Sequence, residues 1–216
     1  MKLPLLPDRF TLAARILLAI FTIIGITGIL LYPSWFAKLT PFNILLGFIL
    51  FIAFMPEFPA NRFRFFVLVF AVGIGVELIG TETGKIFGAY HYGDALGPKI
   101  KNVPAIIGIN WLLLVCCTMD ISVRLPYNIY VKSAAGALLM TGLDVLIEPL
   151  CSRLDFWHWN DGTAPLRNYL AWFVISFFLH MVGNSMEIGK RNPLSVFIFG
   201  MQLLFFTALL IASKLT

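Results

Sequence analysis

The chain has 216 residues with a mean hydropathy of +0.88, and 59% of its residues are apolar while only 12% are charged. A soluble domain carries roughly a quarter charged residues, so this composition excludes an ordinary soluble protein and indicates a membrane protein. The net charge of +5 is typical of basic loops at a membrane surface, and we do not expect nucleic-acid binding.

Apolar runs predict the membrane spans, because a helix needs about 20 apolar residues to cross a hydrocarbon core of roughly 30 Å. Five of these runs carry no charged residue, and two others are apolar until an acidic residue interrupts them. We therefore predict an all-α, polytopic membrane helical bundle of about seven transmembrane helices, which forms a single integral membrane domain over residues 1–216. The predicted spans are about 12–31, 42–56, 63–80, 104–121, 130–149, 168–186 and 194–213.

The first 11 residues form a short basic segment that we expect at the membrane interface. It lacks a small-residue cleavage site after a brief apolar core, so we expect the first span to be retained rather than removed as a signal peptide. Alternate loops place nine Lys and Arg residues on the N-terminal face and seven on the other, which favours a cytoplasmic N-terminus. We expect the protein in a bacterial inner membrane.

Two long predicted loops, about 81–103 and 150–167, lie on the same side of a bundle of seven spans. Long ordered loops are often functional. The ends of spans three and five and the starts of spans four and six lie at the same membrane face. This topology gathers the following polar and aromatic residues there: Glu77, Glu82, Asn110, Trp111, Asp144, Glu148, Trp157, Trp159, Asn168 and Trp172.

Asp144 and Glu148 are four residues apart and therefore share one face of a helix. An ionised Asp near the centre of a bilayer costs about 2.5–3.5 kcal/mol, and two carboxylates one turn apart repel each other. We therefore expect one of them to stay protonated near neutral pH. A protonated carboxyl in an apolar pocket is a general acid. The alternative for Glu148 is a hydrated position at the interface, beside Pro149.

Glu77 is a third carboxylate, with Gly73, Gly75 and Gly80 as neighbours that let helices approach closely. Helix packing with one hydrogen bond is the alternative to a functional role, but a Ser would serve that purpose at lower cost. Glu82 lies nearer to water. Aromatic residues at this boundary either anchor the protein at the interface or line a pocket, where their faces stabilise a cation. They are Tyr90, His91, Tyr92, Trp111, Trp157, Trp159 and Trp172.

At the opposite membrane face, Asp120 is interpreted as an interfacial charge. His180, Asn184 and Glu187 follow helical spacing and indicate hydrogen-bonded helix contacts or a second polar site. The three histidines include no HxxxH or HxxH pair, so we expect no histidine-ligated iron and no other metal. We find no Walker loop, GxSxG elbow or complete dinucleotide fingerprint, and we expect no cofactor. The inventory suits proton chemistry on a lipid-soluble substrate.

The motif E-x-x-G-x-x-T-G-x-x-F-G-x-Y-x-Y, followed by LGP, VP and a Trp in the next span, resembles the carotenoid biosynthesis membrane proteins of the CruF type. The resemblance covers roughly residues 70–175. Glu148-Pro149 stands where the family pattern has Asp-Pro, and Ala and Leu-Arg occur before Asn168 where a Gly-containing stretch is expected. The matching positions include Glu77, Gly80, Thr83, Gly84, Phe87, Gly88, Tyr90, Tyr92, Trp111, Asp144, Trp157, His158, Trp159, Asn168 and Trp172.

The resemblance implies a carotenoid hydratase, a hydro-lyase that adds water across the terminal double bond of an acyclic carotenoid of the lycopene or γ-carotene type. The product is a tertiary alcohol, and the implied partners are the carotenoid, water, membrane lipids and other enzymes of the carotenoid pathway. We expect Asp144 and Glu148 to be the acid and base, with their roles unassigned, and Glu77 to be a third essential carboxylate. Asn110 and Asn168 are expected to orient water or carboxyl groups.

The sequence leaves three other functions open. An end-group cyclase begins with the same protonation but excludes water, and its product has an unchanged mass. A carrier would bind a carotenoid or another isoprenoid without converting it. A proton-coupled transporter would use Glu77 and Asp144 as relay groups, although the chain has no visible inverted repeat.

Overall fold

A computed structural model of the chain describes residues 8–55, 57–189 and 192–215. Residues 1–7, which make up most of the predicted interfacial segment, lie outside the described residues, as does residue 56 at the end of predicted span two. The helices are α1 (Asp8–Leu31), α2 (Pro33–Phe36), a 3-10 turn (Ala37–Leu39), α3 (Thr40–Ala53), α4 (Ala60–Thr83), α5 (Ile106–Ser122), α6 (Ile129–Cys151), α7 (Leu166–Ser185) and α8 (Ser195–Leu215).

Six helical segments are long and apolar enough to cross a membrane, and the stretch Pro33–Ala53 counts as one of them because α2, the 3-10 turn and α3 are continuous. The seventh is α5, which has 17 residues. Nearly every side chain of α5 is buried, so the other helices surround it and shield it from lipid. These segments confirm the predicted all-α membrane bundle.

The helices alternate in direction, so the two long loops meet at one membrane face, which we call the loop face. The N-terminal end of α3 also lies there, since a Cβ on Gly97 would be 3.6 Å from Pro41. At the opposite face, Arg15 of α1 donates a hydrogen bond to the carbonyl oxygen of Pro193 at 3.0 Å. Asn192 donates to the carbonyl oxygen of Phe51 at 2.8 Å, which ties the start of α8 to α3.

Short strands order the two loops. Strand β1 (Tyr90–Tyr92) pairs antiparallel with β4 (Trp157–Trp159), while β2 (Lys99–Ile100) and β3 (Val103–Pro104) form a hairpin. Because side chains alternate along a strand, Tyr90 and Tyr92 share one side of the β1–β4 ribbon with the two Trp residues. The sequence did not predict these strands, because segments of two or three residues are too short to show an alternating pattern.

Helices α4 and α6 extend further at their C-terminal ends than predicted. Helix α4 runs to Thr83 and ends at Gly84, whose φ of 64° is in the left-handed region that favours glycine. Helix α6 continues through Pro149 to Cys151. Glu77 and Glu148 lie within these regular helices, and side chains of the β1–β4 ribbon and of neighbouring helices hold them in place.

The interpretation of Asp120 as an interfacial charge is wrong. Its side chain is 4% exposed and accepts hydrogen bonds from the Asn192 backbone N–H at 3.0 Å and the Ser195 hydroxyl at 2.7 Å. It is buried because it joins α5 to the start of α8. His180 contacts the Thr118 hydroxyl at 2.9 Å, and Asn184 donates to Ser133 at 2.9 Å, so both make the predicted contacts between helices. Glu187 is exposed.

Candidate functional site

A cavity of about 120 Å³ lies within the bundle, with the β1–β4 ribbon contributing to its wall. Helices α1, α3, α4, α5, α6, α7 and α8 all contribute side chains to it. Most of the residues predicted for the site line this one cavity, although they come from distant parts of the chain. They are Glu77, Tyr90, Tyr92, Asn110, Trp111, Asp144, Glu148, Trp157, Trp159, Asn168 and Trp172.

Glu77 joins α4 to α5 and to β1. Its Oε2 accepts hydrogen bonds from the hydroxyls of Tyr90 and Tyr92, the latter at 2.8 Å, and its Oε1 accepts one from the Trp111 indole N–H at 3.2 Å. The side chain is 3% exposed. With three donors directed at it, Glu77 fixes the position of the ribbon over the cavity.

The environment of Tyr90 and Tyr92 keeps both phenols protonated. Burial, followed by the nearby charge of Glu77, raises the pKa of each hydroxyl above its ordinary value near 10. Both residues lie in β1, outside the spans. They therefore remain hydrogen-bond donors to Glu77 throughout the physiological pH range.

The carboxyl oxygens of Glu148 are surrounded by hydrogen-bond donors. Its Oε2 accepts from the Trp159 indole N–H at 2.7 Å, from the Trp157 indole N–H at 3.4 Å and from the Cys151 thiol at 3.7 Å. Its Oε1 accepts from the amide nitrogen of Asn168 at 3.0 Å. An ionised carboxylate is an acceptor only, so this arrangement matches the charged form of Glu148.

Asp144 has a different environment. Its Oδ2 accepts a hydrogen bond from the same Asn168 nitrogen at 2.8 Å. Its Oδ1 is buried and has no hydrogen-bond partner among the described residues. An unpaired buried carboxylate oxygen is costly, and a proton on that oxygen removes the charge that makes it so. Asn168 thus joins two carboxyl groups of unlike surroundings.

Aromatic rings form much of the remaining wall. Trp111 stacks on Trp172 with ring centroids 4.4 Å apart and planes at 17°, and Tyr90 contacts Trp159 at 5.0 Å between centroids. Ring faces attract cations, and the surrounding apolar side chains limit the access of water. The cavity therefore combines carboxyl groups with surfaces suited to a positively charged intermediate.

Glu82 and His91 lie outside the cavity. Glu82 is exposed and forms a salt bridge with Lys101 at 3.3 Å. His91 faces the other side of β1, where its ring stacks on His158 at 5.3 Å between centroids. Strand alternation explains the position of His91, since it lies between two inward-facing tyrosines.

The cavity wall formed by α1, α3 and α8 was not predicted from the sequence. Asn43 and Gln202 line this wall together with Thr22 and Thr40. Asn43 and Gln202 are each the only amide side chain in their predicted charge-free span, and this was the one sequence signal that pointed to the wall. Among the described residues, no group of three or more His, Cys, Asp or Glu side chains is placed to hold a metal ion.

A family model described as "Carotenoid biosynthesis protein" matches residues 39–214. The match includes all the cavity-lining residues except those of α1. Neither a curated protein nor a solved structure matches the chain.

Proposed function

Because this chain belongs to the carotenoid biosynthesis protein family, we propose that it is a carotenoid hydratase. In this proposal it adds water across the terminal double bond of an acyclic carotenoid end and produces a tertiary alcohol without a cofactor. The observation that carries the proposal is the pair of buried carboxyl groups joined by Asn168, one with four donors and one with a free oxygen.

Asp144 is the general acid in this proposal. Its unpartnered Oδ1 carries the proton, and it lines the cavity in which the alkene would lie. Transfer of that proton to the less substituted alkene carbon leaves a tertiary cation on the carbon that bears two methyl groups. Protonation by a positioned carboxyl typically accelerates such a step about 10²–10⁴-fold.

Glu148 is the base, and in its charged form it also stabilises the cation. The hydrogen bonds donated to it favour its ionised form and fix its orientation. Water attacks the cation, a carbon–oxygen bond forms, and Glu148 accepts the proton released by that water. Proton transfer back to Asp144 completes the cycle, so the net reaction consumes only the alkene and one water.

Glu77 and the stacked indoles have supporting roles. Glu77 has all three of its hydrogen bonds with the protein, so we assign it to positioning rather than to proton transfer. Trp111 and Trp172 line the cavity as a stacked pair and supply aromatic surface near the developing cation. This modifies the expectation that Glu77 is a third essential carboxylate.

Expression in a host that accumulates lycopene or γ-carotene tests the proposal. We expect pigments that have gained the mass of one water, and we expect the Asp144→Asn variant to form none. Asp94→Asn is the control, because Asp94 is an exposed loop residue. A product of unchanged mass would instead indicate cyclisation, and bound but unconverted pigment would indicate a carrier.

A further inference from the structure

The cavity has a second polar wall, which consists of neutral amide side chains rather than carboxyl groups. Asn43 of α3, Asn110 of α5 and Gln202 of α8 all line it. None of the three side chains has a hydrogen-bond partner among the described residues, and Oε1 of Gln202 is fully buried. The neutral hydrocarbon part of a carotenoid would leave all three amides unpaired.

Packing places the three amides at one level of the bundle. At Gly47, α3, α5 and α8 meet, since a Cβ there would be 3.4 Å from Leu113 and 4.0 Å from Ile198. Asn43 is four residues before Gly47, and Asn110 is three residues before Leu113. Helices α3 and α5 both begin at the loop face, so each amide is about one turn nearer to it.

Helix α8 runs in the other direction. Gln202 is four residues after Ile198, and this also moves it one turn towards the loop face. Three helices that are in contact therefore present an amide on the same side, at the same depth. Asn110 is next to Trp111, whose indole N–H donates to Glu77, so the amides lie at a depth close to that of Glu77.

We propose that Asn43, Asn110 and Gln202 form an amide subsite that binds a hydroxyl group. A hydroxyl both donates and accepts, and so can pair with an amide oxygen and an amide nitrogen at once. The hydroxyl comes either from an isoprenoid alcohol or from the water that is consumed. This inference rests on the proposed function for the identity of the cavity's substrate, but it concerns binding rather than proton transfer.

The test measures ligand affinity in purified protein that carries Asp144→Asn, so that no ligand is converted. The probes are geraniol and its methyl ether, which have the same isoprenoid skeleton but differ in the ability to donate a hydrogen bond. Binding is followed by quenching of tryptophan fluorescence, since Trp111, Trp157, Trp159 and Trp172 all line the cavity. We expect geraniol to bind about tenfold more tightly, the effect of about one hydrogen bond.

Replacement of the amides by apolar side chains of similar size identifies the subsite. Gln202→Met and Asn43→Leu should each reduce the preference for geraniol over its ether to below about twofold. Leu204→Met on the exposed side of the same helix α8 is the control and should keep the preference. This result would show that the hydroxyl belongs to the isoprenoid.

The bound hydroxyl belongs to water if two results are found together. Protein with all three amides intact shows no preference for geraniol over its ether, and Gln202→Met, in protein that retains Asp144, slows hydration of a hydrocarbon carotenoid without changing the affinity for that carotenoid. If the amide variants alter neither the preference nor the hydration rate, the subsite proposal is overturned. A geraniol preference that depends on Gln202, found in a protein that hydrates no pigment, would refute the hydratase proposal and leave the subsite standing.

Discussion

The indole rings of Trp111 and Trp172 are stacked at 4.4 Å between centroids. This contact links two polar halves of the cavity, one formed by Glu77 and its donors and the other by Asp144, Glu148 and Asn168. Trp111 bonds to Glu77 through its indole N–H. Trp172 is one helical turn after Asn168, which holds Asp144 and Glu148. Displacement of this stack should therefore disturb both halves.

Gly73→Ala should displace the stack from a position on α4. A Cβ at Gly73 would be 2.8 Å from both Cβ and Cγ of Trp111, so Trp111 has to move. We expect the free energy of unfolding to fall by about 1–3 kcal/mol. Turnover should fall at least about tenfold, because small displacements of positioned groups are costly. Pigment analysis and thermal unfolding in detergent measure the two effects.

Gly75→Ala is the matched control on the same helix, because no atom outside its own helix backbone lies within 4 Å of a Cβ there. We expect unchanged activity and equal or greater stability, since Ala is favoured over Gly in a helix by roughly 0.5–1 kcal/mol. Equal effects of the two substitutions would contradict the packing role of Gly73.

Glu148→Gln should abolish turnover and also weaken the fold. All the groups around Glu148 are donors, so the new amide NH₂ must face at least one of them. We expect a loss of at least about 100-fold in hydration and about 1–3 kcal/mol in the free energy of unfolding. Glu82→Gln, an exposed substitution on α4, serves as the control and should alter neither quantity. Retention of the full rate in Glu148→Gln would exclude Glu148 as the base.

Alkaline pH should destabilise the protein through Tyr90 and Tyr92. Burial and the charge of Glu77 raise both pKa values, so above about pH 10 the unfolded chain releases these protons while the folded protein retains them. The free energy of unfolding is therefore unaffected by these groups below about pH 10 and decreases as the pH rises above it. Thermal unfolding from about pH 8 to about pH 12 measures this dependence.

Tyr92→Phe removes one of the two groups and should make the decrease above about pH 10 less steep. It should also lower stability at about pH 8 by roughly 0.5–1.5 kcal/mol, through loss of the hydrogen bond to Glu77. Tyr130→Phe is the control because Tyr130 is exposed on α6. An identical alkaline slope in wild type and Tyr92→Phe would refute the role assigned to this tyrosine.

Sequence patterns were sufficient for the membrane bundle and for much of the cavity. Continuous apolar runs specify spanning helices, and an alternating topology then places the ends of spans three to six at one face. The four-residue spacing of Asp144 and Glu148 also specifies a shared helix face. These inferences depend only on local periodicity and on the number of spans.

The remaining features depend on contacts between helices. Asn168 reaches both carboxyl groups because α6 and α7 pack closely, as at Gly136, where a Cβ would be 2.3 Å from the His180 ring. The inward direction of Tyr90 and outward direction of His91 depend on the pairing of β1 with β4. The amide subsite requires α3, α5 and α8 to meet at Gly47, and no local sequence pattern predicts that contact.

Hydration in water labelled with heavy oxygen tests whether the protein adds water to the carotenoid end. Purified protein in detergent is incubated with lycopene or γ-carotene, and the pigment is analysed by mass. We expect a product that has gained one water and carries the heavy oxygen, formed by wild type and Asp94→Asn but not by Asp144→Asn. A product without the label, a product of unchanged mass, or full activity in Asp144→Asn would contradict this expectation.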